Sequence, residues 1–354
     1  MEPTFLQIIW FALIAILFAG YFVLEGFDFG VEMNIAALSK GDESRRARML
    51  ESIGPVWDGN QVWLLVGGAS IFAAFPEWYA TLFSGFYLAL LLMLVVLIAR
   101  VCAFKYRSKA EDPRWRRAWD IVHIAGGFLP ALLWGVAFAN IVRGVDIDSA
   151  KFVTTSLLGL LNPFGLLGGI VFVLLFWTHG TLYVALRTTD DLRADALKLA
   201  SRLIWPTIAT GAVFLIWNQL AHASNPFTWI PLLLAALALV GVALMARAGR
   251  EGMAFTFSSL AIVMAGVQMF GGLFPHVMIA RNDAAHSLTV ANASSTPGTL
   301  TVMLIAVIVL MPIVLVYQAW SYKVFSYRID GTRQAPATLA QRAATGYRAA
   351  FDQE

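Results

Sequence analysis

Nine stretches of this chain are almost continuously apolar: 4–38, 54–75, 78–100, 118–142, 157–186, 203–220, 228–246, 254–274 and 299–322. About 20 such residues cross the hydrocarbon core of a bilayer as a helix. The pattern therefore predicts an all-α polytopic membrane protein with about nine transmembrane helices. The sixth stretch is the weakest, because Pro206 and Gly211 interrupt it. The first and fifth exceed a single crossing and are expected to tilt or to run past the bilayer surface. Residues 282–298, rich in Ala, Ser, Thr and Asn, read as an external loop. One transmembrane domain spans 1–330, and 331–354 form a polar cytoplasmic tail.

Composition agrees with that reading. The chain has 354 residues, 59% hydrophobic and 13% charged, with a mean hydropathy of +0.72; a soluble domain is nearer half apolar and a quarter charged. A net charge of +3 gives no electrostatic footprint for nucleic acid. Cys102 is the single cysteine, which excludes an internal disulfide and a thiolate metal cluster. The opening Met-Glu-Pro-Thr lacks the basic region of a signal peptide, so the first stretch is read as a retained helix.

Basic residues choose the sides of a membrane helix bundle. Of the 25 Lys and Arg, all but Arg143, Lys151 and Arg281 fall around the first, third, fifth and seventh loops and the C-terminal segment. The N-terminus is therefore expected outside and the C-terminus inside. The bias also supports nine crossings, since losing one helix would invert every later loop.

The charges that remain inside apolar stretches are the candidates for chemistry. Glu25, Asp28 and Glu32 lie late in the first, and Asp58 lies early in the second. A carboxylate near the bilayer centre costs roughly 2.5–3.5 kcal/mol on insertion scales. At about 100° per residue, positions 25, 28 and 32 share one helix face. With the sides assigned above, both helices bring acids to the cytoplasmic leaflet. That arrangement suits proton collection, with Asn60 and Gln61 able to hold ordered water. A structural reading stays open: Asp58 follows Pro55 in a first turn, where an acid complements the helix dipole, and Glu25 sits at the interface. Glu32, nearest the surface, is expected to be solvated.

Other features carry less. His123 and His179 could form a bis-histidine haem pair at one depth, but no spacing motif supports it, and a helix–helix hydrogen bond is the plainer expectation. Trp78, Trp115, Trp119 and Trp229 sit near span ends, as interfacial anchors do. Gly67-Gly68 and Gly168-Gly169 read as close-packing sites, since no strand precedes them. The sequence contains no P-loop, nucleophile elbow or zinc motif. One weak echo, Glu25-Gly26 against His179-Gly180, hints at two related halves.

The same residues resemble subunit II of the cytochrome bd-type quinol oxidases. The resemblance rests on Glu25-Gly-Phe-Asp28-Phe-Gly30, on P-V-W-D-G-N-Q-V-W-L at 55–64, on F-A-A-F-P at 72–76 and on F-S-G-F-Y at 83–87. It continues through Y-R-S-K at 106–109, R-W-R-x-x-W-D at 114–120, G-V-A-F-A-N at 135–140 and H-G-T-L-Y-V-A-L-R-T at 179–188. It is dense over roughly 20–190 and thinner afterwards, and the W-D-G-N-Q-V-W run is its most specific part. Glu25 stands where an Asp is common, while Glu32 and His123 fall outside the family's pattern.

The resemblance implies two four-helix bundles plus one peripheral helix. It implies a homologous subunit I that holds the quinol site, two haems b and one haem d, in a bacterial plasma-membrane complex that oxidises quinol and reduces oxygen to water. It implies a proton path through subunit II that begins near Asp58, with Glu25 and Asp28 as the next stations and Arg100 tuning their charge. A small single-helix subunit often accompanies such a pair, and a quinone or lipid can bind subunit II structurally. Two rivals remain: an ion-coupled secondary transporter, whose helix breaks would fall at Pro206 or Asn162-Pro163, and a structural scaffold whose acids only pair with a partner.

Overall fold

Polar residues between the apolar runs start the helices. Asp42, Asp112, Asn162 and Thr296 each cap a helix by accepting a hydrogen bond from a backbone amide of its first turn, and Pro113, Pro163 and Pro297 occupy first positions that need no amide donor. The computed structural model describes residues 2–223 and 225–330; the tail expected at 331–354 lies outside them. Its helices are α1 (Phe5–Leu38), α2 (Glu43–Ile53), α3 (Trp57–Ala74), α4 (Pro76–Gly85), α5 (Tyr87–Tyr106) and α6 (Pro113–Arg143). They continue with α7 (Leu157–Leu160), α8 (Pro163–Arg187), α9 (Asp190–Ala221), α10 (Trp229–Arg247), α11 (Glu251–Leu273) and α12 (Pro297–Val324).

Among the described residues, eight helices are long and apolar enough to cross a membrane: α1, α5, α6 and α8 to α12. The remaining expected stretch, 54–75, forms α3, whose 18 residues extend about 27 Å. Asp58, Asn60 and Gln61 in its first turns lower its mean hydropathy.

Pairwise contacts give the directions. Phe22 meets Phe172, Gly26 meets Phe176 and Gly30 meets Gly180, so α1 and α8 run parallel. Going up α3, Asn60 reaches Leu24 and Asp28, Trp63 covers Gly20 and Gly67 meets Phe18, so α3 runs against α1. Arg107 with Asp120 and Arg100 with Gly126 make α5 and α6 antiparallel. The chain therefore reverses at each of α3, α5, α6 and α8, which brings α8 out parallel to α1. Finally α12 lies parallel to α1, with Leu300 beside Trp10 and Tyr322 beside Phe27.

An aromatic core fills the space between α1, α6, α8 and α11, where Phe18, Phe22, Trp134, Phe138, Phe172 and Phe270 stack edge to face. The parallel α1–α8 contact is glycine on glycine. A Cβ on Gly30 would lie 2.7 Å from the Gly180 Cα, and Gly135 has the same relation to Gly169 at 2.7 Å. Gly168-Gly169 is thus a close-packing site, whereas Gly67 makes only ordinary contact with Phe18 and Gly68 faces open space. Overpacking a tight contact destabilises by about 1–3 kcal/mol. Gly30→Ala is therefore expected to lower the thermal midpoint of the purified protein, read by loss of helical circular dichroism; an unchanged midpoint would show that α1 and α8 can part freely.

Several elements depart from expectation. The third stretch is two helices, because the backbone turns at Phe86 between α4 and α5. The sixth is the opposite case: α9 runs unbroken for 32 residues through Pro206. Pro163 begins α8 rather than breaking it, so neither proline supplies the midspan break a transporter would need. A short antiparallel ribbon, β1 (His276–Met278) with β2 (Leu288–Thr289), joins the end of α11 to the stretch 282–298 that was read as a loop. Trp78, expected as an interfacial anchor, is buried, while Trp115 and Trp229 are exposed as anchors should be. In α12, Leu300 is the sole buried residue, which fits a peripheral helix.

Candidate functional site

The acids of α1 point into protein. Glu25, Asp28 and Glu32 are each 0% exposed, as are Arg100 and His123. The expectation of a solvated Glu32 is corrected. Positions 25 and 32 are seven residues apart, so they project on the same side of α1, and α5 and α6 close over both. Gly126 and Gly127 make that closure possible: a Cβ at 126 would press on the Arg100 side chain at 3.2 Å, and one at 127 on the Glu32 Cβ at 3.1 Å.

Arg100 from α5 bridges the two glutamates. Its Nη1 is ion-paired with Glu25 Oε1, and its Nε donates to Glu32 Oε2 at 2.6 Å. The second Glu32 oxygen accepts from His123 Nδ1 at 2.7 Å. Aromatic faces surround the guanidinium, with Phe29 at 5.0 Å, Phe104 at 5.5 Å and Trp57 at 6.0 Å from its carbon. Below this layer, Arg107 donates to Asp120 at 2.6 Å and to both Glu43 oxygens at 2.9 Å, tying α5, α6 and α2 together.

Asp28 belongs to a second layer. Its Oδ2 accepts from Asn60 Nδ2 at 2.7 Å, and the same nitrogen donates to the Leu24 carbonyl at 3.3 Å. Asn60 Oδ1 accepts from Tyr322 Oη at 2.6 Å and from Gln318 Nε2 at 3.2 Å, both on α12. Asp58, two residues earlier on α3, is exposed in the first turn and acts on Glu25 through space. The structure thus brings Glu25, Asp28 and Arg100 together and puts Asp58 at the rim.

Four buried atoms of these layers have no hydrogen-bond partner among the described residues: Glu25 Oε2, Asp28 Oδ1, Arg100 Nη2 and His123 Nε2. Buried polar atoms are nearly always satisfied, so these four stand out within the two layers. The helix–helix hydrogen bond expected of His123 is made, to Glu32. Sequence reasoning placed Glu32 on the face of Glu25 and Asp28 but misjudged its exposure, and it missed Gln318 and Tyr322.

The His123/His179 haem pair does not fit this structure. His179 engages Ser258 Oγ through Nδ1 at 2.7 Å and the Val23 carbonyl through Nε2 at 3.0 Å, which leaves neither nitrogen for iron. His123 is tied to Glu32 and packs edge-on against Phe104.

Comparison with known proteins agrees with the fold. The chain is 37% identical over 328 residues to the cytochrome bd ubiquinol oxidase subunit 2 of Bacillus subtilis, covering 91% of this chain and 96% of that one. It is 38% identical over 357 residues to the cytochrome bd-I ubiquinol oxidase subunit 2 of Escherichia coli, covering 89% and 93%. Its fold matches a chain from the structure of bd oxidase from Geobacillus thermodenitrificans with a TM-score of 0.76 at 15% identity, over 91% of this chain and 99% of that one. Residues 6–325 fit the family described as cytochrome bd terminal oxidase subunit II, and to that family the chain belongs.

Proposed function

We propose that this chain is the proton-supplying subunit of a cytochrome bd quinol oxidase, a multi-pass protein of the bacterial plasma membrane. Family membership makes it one subunit of a quinol:oxygen oxidoreductase with a partner subunit I and haem cofactors in the complex. In this reading subunit I carries two haems b and one haem d, which when bound supply electron transfer and oxygen chemistry. A small single-helix subunit and a structurally bound quinone belong to the same reading.

The observation that carries the proton role is the buried carboxylate pair held open-handed. Glu25 and Asp28 each commit one oxygen to a fixed partner and keep the other free inside the protein. Arg100 pairs with both Glu25 and Glu32, and its single positive charge leaves one negative charge in the layer when both are ionised, which one proton can neutralise. Asp58 collects protons at the end where the Arg-rich loops gather, Glu25 and Asp28 hold them inside, and subunit I receives them. Reduction of oxygen to water consumes those protons. Quinol releases its own on the opposite face, so each elementary charge separated stores about 2.3 kcal/mol per 100 mV.

Asp58→Asn tests the intake step. A charged rim residue raises local proton supply by about tenfold or more, and quinol-driven oxygen uptake is expected to fall by that order. The reduced-minus-oxidised haem spectrum should stay at its wild-type amplitude. Normal uptake with a full haem complement would remove Asp58 from the path, and loss of haem would favour the scaffold reading.

A further inference from the structure

The amide of Asn60 can face Asp28 in two ways, and only one leaves a donor toward the carboxylate. The Leu24 carbonyl favours that one by accepting from Nδ2 at 3.3 Å, and a row of residues farther away adds to the choice. An indole N–H can only donate. Trp63 Nε1 donates to Gln318 Oε1 at 2.9 Å, which turns the Gln318 amide so that its Nε2 faces Asn60. Gln318 Nε2 and Tyr322 Oη then both present hydrogens to Asn60 Oδ1, at 3.2 and 2.6 Å. Asn60 is left with Nδ2 toward Asp28 Oδ2. Apolar packing of α12 is limited to Leu300, its sole fully buried residue, and the partly buried Met303, Leu304, Val307 and Tyr322. Its inner half meets α3 through this polar row.

We infer that Trp63, Gln318 and Tyr322 form an orientation relay, a set of positioning residues through which the peripheral helix α12 fixes which atom of Asn60 faces Asp28. The inference rests on the proton role of Asp28 and adds a control from outside the acid cluster. With the relay intact, Asp28 meets a donor on Oδ2 and keeps Oδ1 free. With it broken, Asn60 can rotate and offer its oxygen, which matches only a carboxyl group that carries its proton. Proton exchange at Asp28 then has a different partner for each amide orientation.

The test uses the whole oxidase complex with Trp63→Phe and, separately, Tyr322→Phe. Each keeps an aromatic ring and removes one hydrogen-bond donor. Both are also built in an Asp28→Asn background, and quinol-driven oxygen uptake is measured across pH alongside the haem spectrum. A misplaced catalytic group lowers rates by up to about a hundredfold; a loss of between about threefold and that limit is expected, with a displaced pH profile and an unchanged haem spectrum. In the Asp28→Asn background neither substitution should lower uptake further, because residues acting through one group are not additive. Equal losses in both backgrounds would show a packing effect and overturn the relay, as would wild-type profiles for both single variants. If Asp28→Asn itself leaves uptake unchanged, the proton reading of Asp28 fails instead. Loss of haem in one single variant leaves the other to decide the matter.

Discussion

Replacing Arg100 with leucine is expected to prevent accumulation of the assembled complex. The guanidinium is fully buried and contacts two fully buried carboxylates through separate nitrogens, Nη1 to Glu25 and Nε to Glu32. Removing one partner of a buried ion pair costs about 3–5 kcal/mol, because the remaining charge has neither water nor counterion. Here two carboxylates are stranded, which is comparable to the whole stability of many domains, about 5–15 kcal/mol. Lysine is not a conservative replacement, since a single ammonium does not reproduce a planar fork serving two sites. The informative rescue is Arg100→Leu combined with Glu25→Gln and Glu32→Gln. Neutralising both acids should restore haem-containing complex to the membrane, measured by spectrum and yield, while oxygen uptake stays low. Full recovery of uptake would show that the layer only supports structure.

Asp28→Asn is expected to act on turnover and leave assembly alone. Asp28 has one fixed hydrogen bond, from Asn60, and no ion pair among the described residues, so an amide of the same shape can occupy its place. An amide cannot take up and release a proton near neutral pH. Losing a positioned proton-transfer group lowers rates by about a hundredfold or more, and quinol-driven oxygen uptake should fall by about that factor with the haem spectrum intact. A fall of less than twofold would route the protons elsewhere.

The membrane helices were legible because apolar length is a local property. Their directions relative to one another follow from contacts such as Gly30 with Gly180. The Phe86 turn was only faintly signalled: Ser84-Gly85 just before it is a turn dipeptide, but it sits inside a long apolar run and α4 and α5 read as one helix. Pro206 misled in the other direction, because packing of α9 against α8 and α10 holds a helix that a proline would weaken in isolation.

The site divides in the same way. Glu25, Asp28 and Asp58 stood out because carboxylates in apolar runs are conspicuous, and Arg100 because it ends one. Glu32 was misjudged because depth was counted along α1, whereas its burial comes from α5 and α6 closing over that face at Gly126 and Gly127. Tyr322 and Gln318 lie more than 250 positions from Asn60 in the chain. No periodicity couples such distant residues, and only the folded arrangement reveals them.

The central claim is that protons for oxygen reduction enter through this chain from the face of its Arg-rich loops. The most direct measurement is side-resolved. The complex is placed in sealed vesicles in one orientation, with a pH-sensitive dye confined to one face, and quinol oxidation is started. The account predicts alkalinisation at the Arg-rich face during turnover, slowed together with oxygen uptake by Asp58→Asn. Alkalinisation at the opposite face, or an unchanged rate at the Arg-rich face in the Asp58→Asn complex, would contradict it.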